Sequence, residues 1–152
     1  DAAKWLIENV FSELDLHCVV SGLNPSDKLQ KLADRFPNVT LLANPDDAEM
    51  IDLLRQAQVN VLVTQQPTGL KLKLLNALYN GRFCLVNSDM VKGTSLDKLC
   101  IVADEPVRMI AEIKRLMEED FTEDDVEDRD VQMRHLYDNE ANARRIVETI
   151  CG

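Results

Sequence analysis

The sequence predicts an α/β protein built on a doubly wound, Rossmann-like parallel sheet. Three observations lead there. Short β-branched apolar runs alternate with longer stretches of helical periodicity. The apolar runs are continuous rather than alternating, as strands covered on both faces require. The connections are short, and strict β–α alternation with short connections implies parallel crossovers.

The elements follow in order. In "DAAKWLIENVF", Ala2, Leu6, Val10 and Leu14 recur at fours, and Trp5 and Phe11 widen the stripe, which predicts a helix over 2–13. Strands are predicted at 16–21, 39–43, 58–63, 83–86 and 99–103. Further helices are predicted at 26–35, 46–57, 69–81, 105–119 and 125–150, the last with a break near Asp138. Ser26 or Asn24 is suited to cap the second helix, and Pro25 precedes it. For the third, Asn44 is placed to cap, Pro45 suits the first helical position, and Asp46 and Asp47 complement the dipole. Glu105-Pro106 opens the helix at 105–119 in the same way. The chain starts inside a helix, with no Met and no strand before it. It is expected to be a fragment of a longer protein.

The 152 residues form one domain of common size, 45% hydrophobic and 29% charged. No apolar run approaches the roughly 18 residues of a membrane span. A net charge of −10 argues against nucleic acid and anionic membranes as partners. Nine acidic residues crowd into Glu118–Asp130, which reads as a solvated connection or helix face. Cys18, Cys84, Cys100 and Cys151 have no ligand-like spacing. The first three sit in apolar strand-like runs, as reduced cysteines of a cytoplasmic protein do. His17 and His135 have no partner visible in sequence, and no Ser-His-Asp set, Walker loop or metal cluster appears. A receiver-type module would need an Asp ending its central strand, where this chain has Thr64.

Ligands of such sheets bind beyond the carboxyl ends of the strands, over helix N-termini. Of the loops there, Thr64–Leu70 leads into "GLKLKLLNALYN". At about 100° per residue, Gly69, Lys73, Asn76 and Asn80 fall within roughly 60° of arc. Leu70, Leu74 and Leu78 form the next row, and Leu72, Leu75 and Tyr79 cover the far side, giving a mostly buried helix with one polar seam. Thr68 is placed to cap it, and Gly69 admits a ligand close to the backbone. The first-turn N–H groups favour an anion, and Lys73 reaches back toward the same point. A lysine near a helix N-terminus opposes the dipole, a cost that a bound phosphate offsets. Lys71 lies off the seam and reads as a surface lysine with its stem on apolar neighbours.

"GLKLKLLNALYNGRFCLVN" resembles the signature of retaining GT-B glycosyltransferases, the group called glycosyl transferases group 1. Its motif runs roughly "E-G-F-G-L-P-x-L-E-A-M-A-x-G-x-P-V-V-A-S", and one branch reads "P-x-K-L-L-E-A-M-A-x-G-K-P-V-V". Gly69-Leu70, Lys73-Leu74-Leu75-Asn76-Ala77-Leu78 and Gly81-Arg82-Phe83 match its Gly-Leu, "K-L-L-E-A-M" and "G-K-P" parts. The order of elements over about residues 2–105 is similar to the family's preceding segment.

The resemblance implies the C-terminal, nucleotide-sugar-binding domain (residues 1–152) of a two-domain enzyme, with the first strand of that domain's sheet, which in the family precedes the helix at 2–13, expected to be missing. The enzyme would move a sugar from a nucleoside-diphosphate sugar to an acceptor with retention. No metal is expected, and the substrate would be the nucleotide sugar. The acceptor would be held, at a membrane where the acceptor is membrane-associated, by an N-terminal domain in cis. Gly69 and Leu70 would offer N–H groups to the diphosphate, with Thr68 and Lys73 beside it. Asn76 stands where a family glutamate bonds the ribose, and Thr68 where another touches the sugar. Asn44 and Pro45 would border the base. Both glutamates of the family pair are thus replaced, although asparagine still bonds hydroxyls. The alternative is a non-catalytic module of a degenerate transferase serving regulation or assembly. Arg144 and Arg145, in the last predicted helix, are expected to pair with the acidic run.

Overall fold

The computed structural model describes residues 2–65 and 71–137. The chain divides into two compact units, Asp1–Asp120 and Phe121–Gly152. The first unit carries strands β1 (Cys18–Gly22), β2 (Val39–Ala43), β3 (Val59–Leu62), β4 (Phe83–Val86) and β5 (Ile101–Val102). Its helices are α1 (Ala2–Asn9), α2 (Asp27–Ala33), α3 (Asp47–Gln56), α4 (Leu72–Asn80), α5 (Ser88–Val91) and α6 (Pro106–Met117). The second unit carries α7 (Glu123–Tyr137).

All strand pairs are parallel, as expected, but among the described residues they form two sheets. β1 pairs β2 with Cys18 opposite Val39 and Gly22 opposite Ala43. The order of the other sheet is β3-β4-β5, with Val59 opposite Phe83 and Leu85 opposite Ile101. Both sheets contribute to one apolar cluster, in which Leu6, Ile7, Val10, Leu32, Ala33, Met109 and Ile113 pack with Val20, Val59, Val61 and Leu85. α1 packs against α2, and α3 against α4.

Local chemistry sets the helix ends. Ser26 caps α2 by accepting from the Leu29 N–H at 3.3 Å. α3 departs from expectation: its cap is Asp46, not Asn44. Asp46 Oδ1 accepts from the Glu49 N–H and the Asp46 N–H donates to Glu49 Oε2, both at 2.8 Å, a reciprocal box that satisfies two helix-end donors. Asn44 adopts φ +54 instead, a left-handed conformation that asparagine tolerates. α1 stops at Asn9 and continues as a single 3-10 turn, Phe11–Glu13. Asn38 secures the entry to β1, its Nδ2 donating to the carbonyls of Phe11, Leu14 and Leu16. Gln58 closes the end of α6, its Nε2 donating to Leu116 O at 3.1 Å and Glu119 O at 2.6 Å.

α4 is less buried than its leucine content suggests. Leu74, Ala77 and Leu78 are buried, but Leu72 and Tyr79 are 61% and 57% exposed. The helix therefore covers the sheet with one face, and the expectation of a far apolar side buried in the protein does not hold. In the second unit the first turn of α7 carries Glu123, Asp124 and Asp125, which suit the positive helix end. Thr122 and Asp125 cap one another, Thr122 Oγ1 donating to Asp125 Oδ2 at 2.7 Å. The Arg129 guanidinium lies 4.9 Å from the Phe121 ring centroid. The predicted break near Asp138, together with Arg144, Arg145 and Cys151, lies outside the described residues. Among the described residues no helix is long and apolar enough to cross a membrane.

Cys84 is buried and Cys18 half-buried. Burial pushes the Cys18 thiol up to about 11, so it is protonated at neutral pH and unreactive. The native state then holds that proton more tightly than the unfolded chain does, whose thiol has its ordinary value near 9. This contribution to stability is present below pH 9 and is lost as pH rises toward 11. Iodoacetamide at pH 8 is expected to label Cys18 at least tenfold more slowly than in urea-unfolded protein. Equal rates would contradict the burial.

Candidate functional site

The carboxyl ends of the strands are tied to one another by side chains placed directly after them. The Asn44 Oδ1 accepts from the Asn24 N–H at 2.7 Å, joining the loops after β1 and β2. Asn87 bridges β3 and β4: its Oδ1 accepts from the Thr64 N–H at 3.0 Å and its Nδ2 donates to Thr64 O at 2.7 Å. Asp104 Oδ1 accepts from the Ser88 N–H at 2.8 Å, joining β4 to β5. These bonds fix the rim of the sheet before any ligand arrives.

α4 rises from this rim. Its N-cap position is Lys71 (φ −93, ψ 58), with no side-chain capping bond, and its first helical residue is Leu72. The helix thus begins later than the expected residue 69, and the cap position does not fall on Thr68. Thr68, Gly69 and Leu70 lie outside the described residues. Lys71 O accepts from the N–H groups of Leu74 at 2.9 Å and Leu75 at 3.1 Å. The N–H groups of Leu72 and Lys73 precede these donors in the first turn, where intrahelical acceptors are lacking.

Two lysines stand at this helix start. Lys73 Nζ donates to Val63 O at 3.0 Å, immediately after β3. One of its three hydrogens is thereby used and two remain. Lys73 as a residue is exposed, but partial burial of its ammonium beside the Val63 carbonyl, then repulsion from Lys71, hold its pKa below the ordinary lysine value. Lys71 thus stands close enough to disfavour the charged form of Lys73. Lys71 itself is 8% exposed. The expectation of a surface lysine is therefore corrected. It rested on a helical phase counted from residue 69, and a non-helical Lys71 does not share that phase.

The other predicted residues divide. Asn76 lies on α4 three residues beyond Lys73, on the same side of the helix, with its side chain exposed. Asn44 and Pro45 follow β2 in the other sheet, and Asn44 serves the loop tie to Asn24. His17 is exposed and hydrogen-bonds Thr40 Oγ1 at 3.0 Å on the neighbouring strand, and His135 is exposed on α7. Sequence reasoning missed Asn87 and Asp104. Their one signal was position, an Asx residue directly following an apolar strand run.

Gly81, which follows α4, has a steric cause. A Cβ there would lie 2.8 Å from Ala77 O and 3.1 Å from Leu54 O, and closer still to Asn60 Nδ2. Asn60, buried in β3, donates from that nitrogen to Leu54 O at 3.2 Å. The absence of a side chain at 81 lets α4, β3 and the end of α3 meet.

Comparison with protein-family models, curated proteins and solved structures gives no match to this chain.

Proposed function

We propose that this chain is the donor-binding half of a GT-B-type glycosyltransferase, holding the diphosphate of a nucleotide sugar at the N-terminus of α4. The observation that carries the reading is the pair Lys71 and Lys73. Two lysines, Lys71 near enough to lower the Lys73 pKa, stand where a helix end already favours negative charge. Partial burial of its ammonium and the Lys71 charge lower the Lys73 pKa, and a diphosphate between the lysines and the first-turn N–H groups would offset both effects by charge pairing. The parallel strands, with α1 beside α2 and α3 beside α4, support a doubly wound, Rossmann-like arrangement for the sheet. The motif around Gly81 supports the family, because its glycine has the packing role described above.

In this reading the domain stabilises the leaving diphosphate electrostatically, and Asn76 bonds a ribose hydroxyl. An acceptor and any catalytic base come from an N-terminal domain in cis, and the isolated chain transfers nothing. The second reading, a non-catalytic module of a degenerate transferase, is favoured by Asn76 and Thr68 standing in place of glutamates. Titration with UDP, GDP and ADP separates the two. At least one is expected to bind below millimolar concentration, with amide shifts at Lys71–Asn76 and the Thr64–Asn87 tie. No binding of any at millimolar concentration removes the donor-site reading.

A further inference from the structure

In the whole sequence one asparagine, Asn80, is followed by glycine. Asparagine is chemically labile, because the next main-chain nitrogen can attack its side-chain amide. A side chain on the next residue hinders that attack, and glycine has none. Packing fixes the glycine here: a Cβ on Gly81 would lie 2.8 Å from Ala77 O and 3.1 Å from Leu54 O. The contact that disfavours any larger residue at position 81 thus creates the most labile asparagine pair in the chain.

The folded structure keeps the two reacting groups apart. Asn80 is the last residue of α4 and Gly81 its C-cap. The Gly81 N–H donates to Ala77 O at 2.8 Å, so the attacking nitrogen is engaged. The Asn80 Nδ2 donates to Asn76 O at 3.0 Å, which turns the amide back toward the preceding turn. Ring closure also needs an extended backbone at Asn80, and a helical residue is not extended. Yet this turn is not sealed. Asn80 is half-buried and Tyr79 beside it is 57% exposed, so water reaches both bonds. Helix ends open locally far more often than a whole domain unfolds. Other asparagines lack the combination. Asn24 and Asn44 precede prolines, whose nitrogen carries no hydrogen. Asn87 precedes Ser88, but its amide bonds Thr64 at both ends, and the Ser88 N–H is held by Asp104.

We propose that Asn80–Gly81 is a self-modification site gated by the last turn of α4. When that turn opens, the Gly81 nitrogen attacks Asn80 Cγ. A new N–Cγ bond forms and the Cγ–Nδ2 bond breaks. The Gly81 proton is relayed through water to Nδ2, which leaves as ammonia. Water then opens the resulting succinimide at either carbonyl, giving aspartate or isoaspartate, with no oxidation or reduction. Isoaspartate adds one methylene to the main chain ahead of Gly81, which is thereby moved from its fitted place against Asn60 and Leu54. The new carboxylate also meets the negative end of α4. The turn cannot reclose as before, so the reaction runs one way and the modified fraction records how long and how often α4 has opened. The inference does not rest on the transferase reading.

The test incubates the protein at pH 8 and follows its tryptic peptide Leu74–Arg82 by mass spectrometry, with aspartate and isoaspartate forms separated by chromatography. A synthetic peptide of the same sequence in the same buffer supplies the ungated rate, and hydrogen exchange of the Gly81 amide is measured on the intact protein. Conversion at Asn80, a gain of one mass unit, is expected to be at least tenfold slower in the protein than in the peptide. The slowing should match the protection of the Gly81 amide within about fivefold, because one opening frees the same nitrogen for both reactions. The isoaspartate product should lose that protection by at least tenfold. Asn80→Gln keeps a carboxamide in place but must close a larger, slower ring, and is expected to show no gain. The proposal is overturned by slowing of less than tenfold, by no gain in either sample, or by slowing that departs from the amide protection by more than fivefold. A gain that persists in Asn80→Gln would move the reaction to Asn76, and an isoaspartate product still protected at Gly81 would remove the one-way step; either overturns it too. Nucleotide titration is a separate measurement, so the donor site and this site can fail independently.

Discussion

Replacing Gly81 with alanine is expected to destabilise the protein by about 2–3 kcal/mol, at the upper part of the usual range for overpacking a close contact. The added methyl meets the Ala77 carbonyl at 2.8 Å, and that oxygen is already held by the Gly81 N–H at 2.8 Å. It also meets Asn60 Nδ2, which lies in a buried strand residue and is engaged by Leu54 O. Relief requires either opening the end of α4 or expelling the Asn60 amide. Backbone conformation adds nothing, because Gly81 has φ −97, which any residue adopts. Urea unfolding reads the effect as a lowered midpoint at unchanged slope. Asn60→Ala combined with Gly81→Ala should cost less than the sum of the two by about 1 kcal/mol or more, since the smaller side chain makes room. A single Gly81→Ala loss below about 0.5 kcal/mol would show that the contact relaxes freely.

Lys73→Ala is expected to separate stability from binding. In the protein without ligand, Lys73 holds its proton less tightly than an unfolded lysine does, through burial and through Lys71. The native state therefore binds fewer protons than the unfolded one as pH falls below the ordinary lysine value. Stability rises with pH through that alkaline window. Alanine abolishes this rise and leaves stability near neutral pH within about 1 kcal/mol, the Val63 carbonyl passing from the ammonium to water. Diphosphate affinity should fall by roughly 10- to 100-fold, the worth of a charge-assisted hydrogen bond of about 1.5–3 kcal/mol. Calorimetry with the best-binding nucleoside diphosphate measures it. An unchanged affinity would remove Lys73 from the site.

Much of the fold was legible because continuous apolar runs have few interpretations. β2 and β4 lie where the sequence places them, at 39–43 and 83–86. α3 and α6 are within a residue or two of their predicted limits, and Pro106 stands in the first turn of α6. The losses have local causes. Four-residue α5 and the 3-10 turn at Asp97–Leu99 are too short to show a period. Asn44 carries an N-cap side chain, but its left-handed backbone turns it toward Asn24. The division into two sheets was invisible, because a strand sequence names no neighbour. At the candidate site, the polar seam located Lys73 beside the rim. It misplaced Lys71, because one non-helical residue resets every angle counted before it.

The bond between Lys73 and Val63 gives the rim a second property. Val63 lies directly after β3, and its carbonyl accepts the Lys73 ammonium. One ammonium group thus closes a strand end and contributes charge to a helix start. An anion drawing the ammonium away would release that carbonyl to water, and the bond to the carbonyl holds the ammonium back from the anion. The strand-end bond and anion capture are then linked equilibria, and any factor by which one weakens the other is returned in equal measure.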